Sequence, residues 1–298
     1  MWFSKPIRRK VTGETTVTRF SRGRYLATGV CLFLLGLLGS FYLTFPDKIL
    51  RQRLVYELET RLPIQVDLTE ATLQPLLTLA GEQMTIHLSG QPEALFQVDT
   101  FQVSPRWSKL LIGDPGLEGE FRSSTGKLSF SWQQSGPLAI NGTTLPFDIP
   151  LATRQAMRIS GNISTAEVAT TAPLQSETRS RIDIYLDQIL VKGLEALTAN
   201  ATGLRLGDIS LQITGQGTSF SIKQLKISGG DLLVSGNGTL ILATAKPQNS
   251  RINLNFSVRA GNQADPTLAS LLELVGTSQA NGSRKLRMTG TLAQPVFR

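Results

Sequence analysis

The sequence is poor in the residues on which most small-site chemistry depends. Its 298 residues include one cysteine, Cys31, and one histidine, His87. A single cysteine excludes a disulfide framework. So small a Cys and His count also excludes a Cys/His zinc centre and any triad that needs two histidines. Aromatic residues make up only 7% and charged residues 17%. No G-x-S-x-G, HExxH or Walker lysine occurs, and Gly215–Gly217 and Gly236–Gly238 lack the third glycine and following helix of a phosphate loop. Asp114, Glu118 and Glu120 cluster in GDPGLEGE, where turn and solvated-face roles outweigh paired acid–base or Ca²⁺ chemistry. His87 falls out of phase with Ile86 and Leu88 in MTIHLS, as a surface strand residue does. The expectation is a protein that is not an enzyme, with no catalytic residue, cofactor or metal.

The basic excess, +8 overall, is concentrated at one end. Residues 1–24 carry seven basic residues and one acidic residue, leaving 23 against 21 in residues 46–298. A nucleic-acid groove needs its positive charge on the folded part, so nucleic acid is not an expected partner. Residues 25–45 (YLATGVCLFLLGLLGSFYLTF) carry no charge. At 1.5 Å per residue this run is about as long as a bilayer core is thick. The basic flank sets the N-terminus in the cytoplasm and everything after Phe45 across the membrane. The rival reading is a cleaved signal peptide. It fits less well, because the run is long and ends in LTFPDK without a small-x-small site. Residues 46–62 follow as an amphipathic helix with Leu50, Leu54, Leu58 and Leu62 on one stripe.

From residue 63 to 298 the dominant period is two. In RINLNFSVR, Ile252, Leu254, Phe256 and Val258 alternate with polar residues. Residues 181–187, 208–214 and 285–292 repeat the pattern, and further strands are expected near 64–72, 83–89, 94–104, 117–122, 127–133, 138–148 and 157–164. One dry and one wet face per strand is the signature of antiparallel sheet. A phase slip between Ile222 and Leu225 predicts a bulge at Lys223–Gln224. Asp265–Gly276 predicts a short helix with Asp265 as N-cap and Pro266 at its first position, and Pro105–Ile112 a shorter one. The Ala-, Thr-, Ser- and Pro-rich stretch 167–180 reads as an exposed loop between two halves. An apolar residue, then Ser or Thr, then Gly recurs at Leu88–Gly90, Ile159–Gly161, Ile213–Gly215, Ile227–Gly229, Val234–Gly236 and Met288–Gly290. In strand phase each glycine shares the apolar face. It either bends the sheet or hollows a groove in it.

A basic tail, one span and a long glycine-punctuated β domain form a distinctive order. The C-terminal run DPTLASLLELVG, followed by a strand closing in Gly290-Thr291-Leu292 and Pro295, resembles the end of type II secretion system protein N. So do Gly236-Asn237-Gly238-Thr239-Leu240 and the Phe45-Pro46 junction leading into Ile49-Leu50-Arg51. That family is in turn similar to the wider AsmA-like group. The resemblance implies a mainly β fold: a long, curved antiparallel sheet forming a half-open, barrel-like trough, with a single N-terminal transmembrane helix and a few short helices. It implies an inner-membrane protein of a Gram-negative bacterium with a periplasmic domain, binding other type II secretion subunits as an accessory scaffold. The alternative is an AsmA-like protein that binds or transfers phospholipid in an apolar trough. Low side-chain volume on the apolar face then makes Gly161, Gly215, Gly236, Gly238 and Gly290 the candidate ligand-binding positions.

Overall fold

A computed structural model describes residues 47–61, 64–88, 94–150, 157–194 and 203–297, together with Val30, Leu32, Phe33, Gly36, Gly39 and Ser40. The basic tail and most of the expected span therefore lie outside the described residues, as do Pro46 and Leu62 at the ends of the expected helix. Among the described residues no helix is long and apolar enough to cross a membrane. The chain divides into two units, Met1–Phe45 and Pro46–Arg298.

The second unit is mainly β, a long antiparallel sheet that is not closed, with few helices. Helix α1 (Asp47–Arg61) leads into β1 (Ile64–Gln74), β2 (Thr78–Leu88) and β3 (Ala94–Pro105). After the one-turn helix α2 (Trp107–Leu110) come β4 (Gly116–Arg122), β5 (Lys127–Gln133), β6 (Pro137–Pro150), β7 (Arg158–Thr171) and β8 (Arg179–Lys192). Then follow β9 (Leu204–Gln216), β10 (Ser219–Gly229), β11 (Leu232–Ile241) and β12 (Arg251–Ala260). Helix α3 (Pro266–Glu273) precedes β13 (Thr277–Ser278), β14 (Arg284–Thr291) and β15 (Pro295–Phe297). Each strand from β1 to β12 pairs with its neighbour in the chain; β14 then pairs with β12, and β13 and β15 both pair with β14.

The alternation seen in the sequence becomes two rows that cross thirteen strands. One runs Leu73, Leu79, Val103, Gly119, Phe130, Ile140, Val168, Ile182, Ile213, Ile222, Gly238, Leu254, Met288, each residue opposite the next. The other runs Ala71, Gly81, Phe101, Phe121, Leu128, Gly142, Ala166, Ile184, Leu211, Leu225, Gly236, Phe256, Leu286. No polar side chain interrupts either row. The opposite face carries Thr72, Gln102, Glu120, Ser129, Asn141 and Glu167 along a comparable line.

Apolar phase is kept by skips at matching levels. Leu68 to Ala71, Gly81 to Met84, Val98 to Phe101, Gly142 to Leu145 and Ile163 to Ala166 each advance three residues instead of two. Gln83 and Thr144 sit inside two of these skips at φ 51° and 53°, a left-handed conformation that costs a non-glycine residue energy. The register also shifts between Ile222 and Leu225, as the sequence phase predicts. The expected loop at 167–180 is shorter. Glu167–Thr171 continue β7 opposite β6, and Arg179 already pairs in β8, so residues 172–178 form the connection. Val168, Thr170 and Thr171 favour the strand, which outweighs the loop-like Ser and Pro content beyond them.

Two clusters hold the ends. Leu54, Val55 and Leu58 of α1 lie on Val66, Leu68, Ala71, Met84, Val98 and Phe101. At the far end Leu272 of α3 lies on Val234, Val258 and Leu286. Asp265 caps α3 by accepting from the Thr267 N–H at 2.8 Å, as its place before Pro266 predicts. Helix α1 also closes the free edge of β1. The Val66 N–H donates to Glu59 Oε1 at 3.0 Å, and Arg51 Nη1 donates to the Thr69 carbonyl at 2.8 Å. Such groups otherwise template pairing with a foreign strand. Replacing Glu59 with Ala is expected to speed exchange of the Val66 amide by about tenfold, as loss of one edge hydrogen bond implies. Native-state hydrogen exchange with residue resolution measures it, with the Leu225 amide as an interior control.

Candidate functional site

Between the helix-covered ends the apolar face has an unusual burial profile. Ile182, Ile184, Leu211, Ile213, Ile222 and Leu225 are only half-buried, although each has a strand on both sides. The two buried clusters stop short of them. Sheets normally bury such a face under a second layer. Among the described residues the helices pack against the sheet near its two ends, α1 over β1–β3, α2 at β4 and α3 over β11, β12 and β14. Among the described residues the middle of the apolar face is therefore a continuous hydrocarbon surface with no helix packed over it, in which Leu145, Ile189 and Phe220 are buried and their neighbours half-buried, and it is the strongest candidate site there.

The glycines do not hollow this surface, which corrects one expectation. A methyl group built on Gly215 would come 2.5 Å from Phe220 Cδ1, and one on Gly236 would come 2.7 Å from Phe256 Cβ. On Gly238 it would meet the Asn253 carbonyl and, at 2.7 Å, Leu254 Cδ2; on Gly161 it would meet Ile189 Cδ1. Apart from Ile189, which lies beside a register shift between β7 and β8, these neighbours belong to cross-strand partners. Gly215 faces Phe220, Gly236 faces Phe256 and Gly238 faces Leu254 in register. The same rule places Phe101 against Gly81 and Phe130 against Gly119. Each glycine leaves room that the large side chain opposite fills, so the face is level, not pitted. Aromatic cover of strand glycines is a known device for pinning register. Gly290 differs. It ends β14 at φ +109°, and a methyl group there would lie 2.5 Å from the Gln294 carbonyl, so it serves the turn into β15. Gly90, in the first of the recurrent triplets, lies outside the described residues.

The structure thus brings Gly161, Gly215, Gly236 and Gly238 onto one face and leaves Gly290 at its margin. Sequence reading missed the partners: Phe101, Phe130, Phe220, Leu254, Phe256. A signal for one was present. Gln216 pairs with Ser219 around the two residues Gly217–Thr218, and this tight turn forces Gly215 opposite Phe220.

The carboxylates resolve into structural roles. Asp114 accepts from Ser135 Oγ at 2.8 Å and from the Ser135 N–H at 2.9 Å, which holds its carboxyl below the usual carboxylate range. Glu118 faces Arg106 at 3.6 Å. Glu120 accepts from Arg122 at 2.5 Å, a bond that lowers its own pKa. Each acid has its own partner, and no two share a proton or point at a common centre. His87 Nε2 lies 3.3 Å from Asp67 Oδ2 on the polar face, where its phase predicts it. Among the described residues no group of His, Cys, Asp and Glu is arranged to hold a metal ion.

Filling the space that Phe220 occupies tests the pairing directly. Gly215→Ala is expected to cost about 1–3 kcal/mol of stability, as overpacking does. In a Phe220→Ala background the same change should cost less than half as much, because the ring that it strikes is gone. A double-mutant cycle by urea denaturation measures both.

Compared with protein-family models, with curated proteins and with solved structures, the chain has no significant match.

Proposed function

We propose that this chain binds acyl chains on the apolar face of its sheet, as an envelope protein anchored in the inner membrane of a Gram-negative bacterium with its sheet in the periplasm. The observation that carries this reading is the pair of unbroken apolar rows, half-exposed through the middle strands and ended by helices. An apolar surface of this extent on a folded chain marks a partner, a membrane or an apolar ligand. In this reading the open sheet curves into a half-open trough. The aligned skips support curvature, since each extra residue bends its strand.

The dimensions suit a lipid tail. From β5 to β10 the uncovered face spans five strand intervals, or about 24 Å at about 4.8 Å each. One leaflet contributes about half of a hydrocarbon core that is about 30 Å thick. A tail laid across the strands is therefore accommodated with room to move along the rows. A level surface lined by Ile, Leu, Val and Phe offers no polar group that would fix one position. That suits transfer better than tight, specific binding.

A photoreactive residue tests this. Placed at Ile213 in the full-length chain in living cells, it is expected to yield phospholipid adducts detectable by mass spectrometry. Placed at Gln212 on the polar face it is expected to yield few. Equal labelling at both positions, or none at Ile213, removes the proposal.

A second reading, an accessory subunit of the type II secretion machine, has the sequence resemblance and a free polar face in its favour. The two readings use opposite faces and are compatible. In a secreting strain that lacks this chain, exported enzymes are expected to accumulate in the periplasm. Unchanged secretion in that strain leaves lipid binding as the function.

A further inference from the structure

The polar face divides its charge into two blocks. Residues 64–122, which include β1–β4, hold eight Asp or Glu and three Lys or Arg. Residues 219–297, which include β10–β15, hold eight Lys or Arg and three Asp or Glu. On the strands the division is sharper. Asp67, Glu70, Glu82 and Asp99 are exposed at the first end. Lys223, Lys226, Arg259 and Lys285 are exposed at the second, where β10–β15 carry no acid at all. Each block is also a depression in the surface. One, of about 330 Å³, is lined in part by Glu70, Glu82 and Glu120. The other, of about 720 Å³, is lined in part by Lys223, Lys226 and Arg259.

Neither block is neutralised from within. Within the acidic block ion pairs join Asp67 to His87, Glu118 to Arg106 and Glu120 to Arg122, and at the basic end Asp231 pairs with Arg205. Among the described residues Glu70, Glu82, Lys223, Lys226, Arg259 and Lys285 have no ion-pair partner. Glu70 stands directly opposite Glu82 in the register of β1 and β2, an arrangement that like charges destabilise. Lys226 and Lys285 stand in one cross-strand row, separated by Ser235 and Ser257, which are small hydroxyls. This stretch of the row is a shallow slot flanked by two cations.

We infer that the basic block of one copy docks on the acidic block of a second copy of this chain. The complement of each block is present on the same molecule, with matching excess and opposite sign. Binding to an anionic membrane surface would use the basic block alone, and it would leave the Glu70–Glu82 opposition without a role. Strand addition is not the route. Helix α1 occupies the edge groups of β1, and β13 and β15 cover parts of β14. The contact joins unlike patches, lysine side to glutamate side, and it either closes as a two-fold pair that uses both patches reciprocally or extends head to tail. The acyl-chain proposal concerns the opposite face, so either can fail without the other.

The test uses the full-length chain in a non-ionic detergent, followed by analytical ultracentrifugation. Association is expected at about 0.1 M salt and loss of at least about tenfold in affinity at about 1 M, where the Debye length falls from about 10 Å to about 3 Å. Two charge-reversed variants sharpen it: Lys226→Glu with Lys285→Glu, and Glu70→Lys with Glu82→Lys. Each alone is expected to remain single. Mixed in equal amounts they are expected to associate, because the mixture retains one native contact and creates one reversed contact. Circular dichroism shows that both are folded, and Lys226→Gln with Lys285→Gln is a milder variant expected to weaken association without abolishing it. A wild-type chain that stays single at about 0.1 M salt overturns the inference. So does association indifferent to salt and to charge reversal. So does a single chain whose lysines instead bind vesicles containing phosphatidylglycerol, which assigns the basic block to a membrane surface.

Discussion

Register between neighbouring strands is the constraint on which everything else in this molecule rests. Side chains alternate with a period of two, so a slip of one residue at a single hairpin would carry polar residues into the apolar rows. The glycine pairs make such a slip costly. Sliding β10 against β9 would move Phe220 off Gly215 and bring its ring against a side chain. The same holds for Phe256 over Gly236 and Phe101 over Gly81. Small residue against large residue thus acts as a key repeated along the sheet. A sheet of this size needs such keys, because it has no closed barrel seam to fix the register of its last strand against its first.

The two faces that result do different work from the same alternation. One is level and apolar, shielded by helices at its ends and half-exposed between them. The other is polar, and its charge changes sign from the first strands to the last. Since every residue on one face has chain neighbours on the other, the amphipathic surface and the charge separation are both written in one strand sequence. The short β4–β5 hairpin adds to this. It ends at the level where the flanking strands skip, and beyond it β3 and β6 come into contact.

Much of this was legible in the residues. The period of two in RINLNFSVR and DISLQIT predicted strands that the structure contains, and the slip between Ile222 and Leu225 located a bulge correctly. Asp265 and Pro266 announced α3. Other features needed pairing information that a linear reading lacks. Glycines 215, 236 and 238 were seen to share a face, but what lies over them depends on which strand stands alongside, and at what register. The left-handed residues Gln83 and Thr144 carry no local sign, since neither is Gly or Asn. They are held there by the need to keep Met84 and Leu145 on the apolar face. The edge contacts of Glu59 and Arg51 depend on how α1 folds back on β1, which no periodicity encodes.

The order of strands has a kinetic consequence. From β1 to β12 every strand finds its partner in the segment just before it. No pairing waits for a distant part of the chain until α3 and β13 are passed over to reach β14. Loop-closure costs stay small at each step, unlike those of sandwiches, whose partners are far apart in sequence. A chain delivered from its N-terminus can add one strand at a time to an existing edge. The first sheet edge to form, at β1, is the one that α1 already guards, and the growing edge is always the newest strand. The strand order therefore permits assembly in one direction, with one growing edge at a time, and leaves the last-made edge to be blunted by the short strands β13 and β15.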